Sequence, residues 1–183
     1  MFARTPRLLL RPGFPEDAPA LASAIADEAI ARNLASVPWP YRMRDAEAFL
    51  ASPRDPILPS LLIFERGTGA PQLVGSCGLG RRPSGAVEMG YWIARASWGR
   101  GYATEACTAL VEIARTLGLA SLEGSHFLDN PGSARVLEKL GFEALGLVAP
   151  RMSCARGTEV PARLMRLQLK ANAADDEEEA LAA

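Results

Sequence analysis

The stretch "SWGRGYATEA", residues 97 to 106, sets Gly99 and Gly101 on either side of Arg100 and then runs directly into helix-forming sequence. Upstream, "AVEMGYWIA" (86–94) is an apolar run of strand length. Downstream, Ala103, Ala106, Cys107, Leu110, Val111, Ala114 and Leu117 recur at three- and four-residue steps, with Glu105, Thr108, Glu112 and Arg115 between them. That spacing predicts an amphipathic helix ending at Gly118. A strand, a glycine turn and a helix start together favour an anion. The first N–H groups of a helix have no partner inside it, and the helix dipole places positive potential there. Gly99 and Gly101 carry no Cβ to hold a bulky anion away and tolerate positive φ; Thr104 adds a hydroxyl and Arg100 a charge. A phosphate or pyrophosphate suits this turn, and a plain tight turn is the alternative that the local sequence leaves open.

Two common phosphate-binding patterns fail at a defining residue. No Lys followed by Ser or Thr comes after Gly101, as a P-loop requires, and Thr104 stands where a dinucleotide fingerprint needs its third glycine. Gly78 and Gly80 are no better placed, because Pro83 takes their third position.

Further out, "RLLLRP" (7–12) reads as a strand, "FPEDAPALASAIADEAIARNLA" (14–35) as helical, and the proline-broken "SVPWPYRMRDAEAFLASPRDP" (36–56) as holding a helix around Asp45 to Ala51. "SLLIFER" and "QLVGSCGLG" are strands joined by "GTGAP". "LASLEGSHFL" is a strand, "NPGSARVLEKLGF" a second amphipathic helix with Pro131 in its first turn, and "LGLVAPRMS" and "EVPARLMRLQLK" are closing strands. This order implies an α/β domain with a mixed sheet of about seven strands covered by helices on both faces.

At 183 residues, 49% of them apolar, the chain suits one packed domain, expected over 1–170. The remaining 171–183 carries five consecutive acids, Asp175 to Glu179, and reads as a solvated tail. Without those five the body holds 20 basic against 16 acidic residues, a balance that suits an anionic ligand. No apolar run has membrane-span length and the start lacks a signal-peptide pattern, so a cytoplasmic protein is expected, with neither membrane nor nucleic acid as partner. Cys77, Cys107 and Cys154 fit neither a disulfide framework nor a zinc spacing; they read as buried free thiols, and no metal is expected.

"EMGYWIARASWGRGYATEA" followed by "NPGSARVLEKLGF" resembles the two signature blocks of the GNAT N-acetyltransferase superfamily, and more narrowly its RimJ/RimL-like branch. "TPRLLLRPGFPEDAPALASAI" and "PWPYRMRDAEAFL" also fit that branch, so the likeness runs over roughly residues 4 to 170. Trp98 replaces the Gln or Arg that usually opens the superfamily's acyl-CoA loop, as is usual in this branch. The resemblance implies a GNAT-type splayed sheet, with Trp98, Gly99, Arg100, Gly101, Tyr102, Ala103 and Thr104 meeting the pyrophosphate of acetyl-CoA. It implies that the strands at "EMGYWI" and "SHFL" part so that the pantetheine arm pairs with strand backbone, with Gly90 easing the approach. It further implies that Asn130 contacts that arm and Ser133 hydrogen-bonds the leaving sulfur.

The implied reaction is direct acetyl transfer to a primary amine, a protein N-terminus or a small-molecule amine, in a ternary complex formed by a monomer or homodimer. Such transfer needs an amine freed of its proton, donors for a developing oxyanion and a hydrogen bond for the departing thiolate. Glu88, in an otherwise apolar strand, is either a base or ammonium anchor, or a carboxylate held by an arginine. His126, the one histidine, reads as a structural hydrogen-bonder or a residue near the acceptor amine; Trp39 and Tyr41 wall the acceptor cleft or simply pack. Asn130 and Ser133 are also good helix caps in their own right. The rival function is a non-catalytic acyl-CoA-binding or regulatory module on the same scaffold.

Overall fold

The structure, a computed structural model, describes residues 1–67 and 69–169; the acidic tail lies outside them. Eight strands form one sheet: β1 (Ala3–Arg4), β2 (Leu8–Arg11), β3 (Ser60–Glu65), β4 (Gln72–Arg81), β5 (Val87–Ile93), β6 (Ser121–Phe127), β7 (Glu143–Ser153) and β8 (Thr158–Gln168). Their spatial order is β1-β2-β3-β4-β5-β6-β8-β7. Every pairing is antiparallel except β5 with β6. The eighth strand is the two-residue β1, which folds back on β2 and is too short to leave a periodic pattern.

Among the described residues there are also five α-helices: α1 (Ala18–Ile25), α2 (Glu28–Ala31), α3 (Met43–Ala51), α4 (Tyr102–Thr116) and α5 (Pro131–Lys139). The first helical stretch is not continuous. At Ala26 ψ swings to 59°, and Asp27 restarts the helix by accepting a hydrogen bond from the Ala29 N–H at 2.8 Å. Helix α4 ends where Gly118 takes φ +68°, as its sequence implies.

The apolar run in β3 is explained by burial on both sides. Leu61 and Ile63 join the cluster under α4 with Leu110 and Leu122, while Leu62 and Phe64 join Leu21 and Leu50 from α1 and α3. Each such fully buried side chain is worth about 1.5–3 kcal/mol. Cys77 and Cys107 are buried; Cys154 is exposed in the β7–β8 turn, contrary to the expectation of three buried thiols.

Asp17 joins the first helical turn to β2. Its carboxylate accepts two hydrogen bonds from Arg11, both 2.7 Å, and one from the Phe14 N–H at 2.7 Å. The Arg11 bonds hold its pKa below the ordinary 3.8 against the opposing effect of burial. A carboxyl that titrates lower when folded contributes stability at pH values above its unfolded pKa, and that stability is lost as pH falls through the folded value. We expect the wild-type melting temperature to hold from neutrality to about pH 5 and drop below about pH 4. Asp17→Asn should cost about 2 kcal/mol at neutral pH and flatten the acid limb. Wild-type and variant melting curves with parallel pH dependence would refute this.

Candidate active site

The sheet opens where β5 and β6 run parallel. Their register is a single pair, Glu88 with Glu123, while β5 stays paired to β4 as far as Ile93 and β6 to β8 as far as Phe127. The strands therefore part beyond Glu88, and a cleft of about 1140 Å³ enters the gap, lined by Gly90, Tyr91 and Trp92 on one side and Ser125, His126 and Phe127 on the other. A Cβ on Gly90 would meet nothing within 4 Å, so the backbone there is open to close approach.

One end of the cleft is the glycine turn. Gly99 and Gly101 have φ of +74° and +79°, the left-handed region, and Gly101 is the N-cap of α4 with no side-chain cap. Trp98, Gly99, Gly101, Tyr102, Ala103 and Thr104 all line the cleft. A Cβ on Gly99 would enter open space; one on Gly101 would instead stand 3.5 Å from Arg7 Nη2, so absence of bulk opens the turn at Gly99 and positive φ accounts for Gly101.

Arg100 is not among the lining residues, unlike its neighbours. It faces Glu65, donating at 2.9 and 2.6 Å, and the Tyr102 hydroxyl donates to the same carboxylate at 2.6 Å. Arg7 donates to the Arg100 carbonyl at 2.9 Å and, through its N–H and Nε, to Glu105 at 2.9 and 2.7 Å. Glu105 also accepts from Thr5 at 2.6 Å. The turn is thus pinned from its outer side by the β1–β2 segment, a task for Glu105 beyond the helix dipole. Trp98, 42% exposed, donates its indole N–H to the Ile93 carbonyl at 2.6 Å beneath the Arg95 guanidinium.

At the start of α5, the Asn130 side-chain oxygen accepts from the Ser133 N–H at 3.1 Å, which is a helix cap. Its side-chain amide nitrogen makes no hydrogen bond among the described residues and the residue lines the cleft. The Ser133 hydroxyl lies 2.8 Å from the Tyr91 hydroxyl. Burial drives the Tyr91 pKa far above the ordinary tyrosine range. The Tyr91 ring packs against the core under α4, and nothing in the sequence marks its hydroxyl as a partner of Ser133.

Glu88 is held in the arginine pairing that the sequence left as one option. Arg151, from β7, forms a fork to both carboxylate oxygens, Ser125 donates at 3.0 Å, and Arg82 Nε stands 3.6 Å away. Neither arginine carries a sequence signal that marks it. Arg82 also reaches Glu123 at 3.2 Å, as does Arg166 at 2.9 Å. Glu88, Ser125 and Trp92 share the sheet face covered by α1 and α3.

His126 falls on the other face. Leu122 packs into the α4 cluster and a Cβ on Gly124 would stand 3.0 Å from Leu137 of α5, so strand alternation directs His126 the same way. It lines the cleft from that face, opposite Glu88. Its Nδ1 lies 2.9 Å from the Phe127 carbonyl, which can only accept, so Nδ1 donates and Nε2 keeps the lone pair in the neutral ring. Tyr41 lines the cleft, its pKa pushed up to about 12 by burial and by Asp45; Trp39, 39% exposed, is not among the lining residues. Among the described residues no cluster of His, Cys, Asp and Glu suits a metal ion, and no helix is long and apolar enough to cross a membrane.

Known proteins resemble this chain in sequence or in fold. An uncharacterized N-acetyltransferase of Bacillus licheniformis, p20, is 32% identical over 80 residues, which is 42% of this chain and 45% of that protein; the match thus spans less than half of the relative. The acetyltransferase from Agrobacterium tumefaciens superimposes with a TM-score of 0.69 at 27% identity, covering 92% of this chain and 95% of its own. RimL, a ribosomal L7/L12 α-N-protein acetyltransferase solved with coenzyme A, has the same fold: TM-score 0.77 at 16% identity over 94% of this chain and 100% of its own. The acetyltransferase (GNAT) domain matches residues 7–143, from just before β2 through α4 and α5, and on that match the chain belongs to the GNAT acetyltransferase family.

Proposed function

We propose that this protein moves an acetyl group from acetyl-CoA directly to a primary amine, a protein N-terminus or a small-molecule amine, within a ternary complex. The observation that carries this reading is one continuous cleft. It begins at unpaired helix N–H groups, passes between two parted strands and reaches a serine hydroxyl on one face and a carboxylate on the other. RimL's solution with coenzyme A and its action on a protein N-terminus support the donor and one acceptor class. Residues 1–170 act as one domain in this reading.

The residues present fit the donor. The N–H groups of α4's first turn, with Gly99 leaving room, would hold its pyrophosphate, and Asn130's free amide would meet its pantetheine arm. Arg135 and Lys139 line the same cleft without an ion pair among the described residues, in keeping with an anionic ligand. Bound acetyl-CoA supplies an activated acyl group and a thiolate leaving group. Ser133 stabilises the departing sulfur by hydrogen bonding; a serine hydroxyl is too weak an acid to do more. On the opposite face Glu88 provides negative charge for the incoming ammonium, and Arg151 and Ser125 fix its orientation. The Arg100 side chain braces the turn from outside through Glu65, which leaves only its backbone N–H for the phosphates.

A thiol-release assay with acetyl-CoA against a panel of amines and N-terminal peptides tests the proposal. Amine-dependent thiol release is expected, together with a rise in melting temperature on adding coenzyme A. Stabilisation by NAD with indifference to coenzyme A would overturn it. Stabilisation by coenzyme A with no acceptor found in a broad panel would favour the non-catalytic module.

A further inference from the structure

Ser133 has a partner whose hydroxyl has no assigned task. Tyr91, on β5, points its hydroxyl across to α5, 2.8 Å from Ser133 Oγ and 3.3 Å from the Ser133 carbonyl oxygen. Burial keeps the phenol protonated throughout the range in which proteins work, so it always has one proton to donate. Asn130 holds the Ser133 N–H at 3.1 Å, so the serine is fixed from its other side as well.

Two protons and three acceptor positions give two complete arrangements. In the first, Tyr91 donates to the Ser133 carbonyl and the serine hydroxyl donates back to Tyr91 Oη. In the second, Tyr91 donates to Ser133 Oγ, which frees the serine proton to point into the cleft. Both follow from rotation about C–O bonds, and neither O–H bond breaks.

We propose that Tyr91 is a positioning residue that turns the Ser133 hydroxyl toward the leaving sulfur. The proposal rests on the transferase reading above. As negative charge grows on sulfur, the second arrangement becomes the better one, because the serine gains a charged acceptor while Tyr91 keeps it supplied with a donor. The polarised serine is the stronger donor, and the Tyr91 proton has an acceptor in both arrangements: the Ser133 carbonyl in the first and Ser133 Oγ in the second.

The test is a double-mutant cycle on kcat and KM for acetyl-CoA with Tyr91→Phe, Ser133→Ala and both together. Tyr91→Phe keeps the packed ring, so folding is retained and is checked by melting temperature. We expect kcat to fall about fivefold to tenfold with KM for acetyl-CoA within about twofold. Ser133→Ala should cost at least as much, and the double variant should be no slower than Ser133→Ala, because a donor with nothing to position is idle. Losses that multiply, or a Tyr91→Phe kcat equal to wild type, would overturn the role and leave the transferase reading intact. A wild-type protein that releases no thiol with any amine would overturn both.

Discussion

Gly101→Val is expected to weaken coenzyme A binding on the order of 100-fold in a protein that still folds, a change near 2.7 kcal/mol. Gly101 has φ +79°, a region that a β-branched residue essentially avoids. A space-filling account fails here, since a Cβ would meet only Arg7 Nη2 at 3.5 Å, an ordinary contact. The damage comes from the backbone. Strain of about 1–3 kcal/mol is relieved by rotating the turn. That rotation re-aims the N–H groups of α4's first turn and pulls the Arg100 carbonyl from Arg7, which now holds it at 2.9 Å. The strain is small beside a total stability of about 5–15 kcal/mol, so the fold survives. Gly101→Asn is the control, because asparagine tolerates positive φ; it should retain most of the affinity. Titration calorimetry with coenzyme A, alongside thermal melts, reads both. A folded Val variant with unchanged affinity refutes the cradle, and an Asn variant as weak as Val refutes the backbone account.

Removing Glu88 should have an effect of similar size on the acceptor side. Its side chain is 21% exposed and sits among Arg151, Arg82 and Ser125; Arg82 keeps Glu123 at 3.2 Å, so Glu88→Gln leaves the Arg151 guanidinium without its carboxylate, facing an incoming ammonium. We expect kcat/KM for the amine to fall about 100-fold or more, and stability to fall by about 1–3 kcal/mol, less than for a fully buried pair. Arg151→Met together with Glu88→Gln separates the two losses. Removing both charges should restore the melting temperature, because no ion is then left without its partner, while activity stays low because the ammonium has lost its anchor. If the double variant regains activity, Glu88 is only a strut for Arg151 and has no part in the reaction.

The glycine turn was readable because its physics is local. Positive φ, a missing side chain and a helix start all lie within Gly99 to Thr104, and periodicity in the following helix marks where the N–H groups begin. The resemblance carried by the two signature blocks led to the GNAT fold, and residues 7–143 match that family. The sheet's parting was implied by the same resemblance; the structure limits the pairing of β5 with β6 to one residue pair, Glu88 with Glu123. The break at Ala26 was less visible, since Asp27 reads equally well as a helical surface residue and as a cap.

Charges were the hardest to read. The chain holds 18 arginines alike in sequence among its 20 basic residues, and nothing near Arg151 singles it out as the partner of Glu88, 63 positions away. Arg100 was expected at the phosphates by its place in the turn, but Glu65 lies 35 positions earlier and takes its guanidinium outward. Tyr91 and Ser133 meet across 42 positions, and His126 is turned toward α5 by strand alternation that only the sheet register makes definite. The amino-acid sequence by itself determined the backbone conformations, the helix that presents its N-terminus and the two faces that seek burial, because torsional preference and hydrophobic period act between near neighbours. Which charge meets which, and which hydroxyl is within reach of another, was decided only when the sheet closed over the core and brought distant side chains to hydrogen-bonding distance.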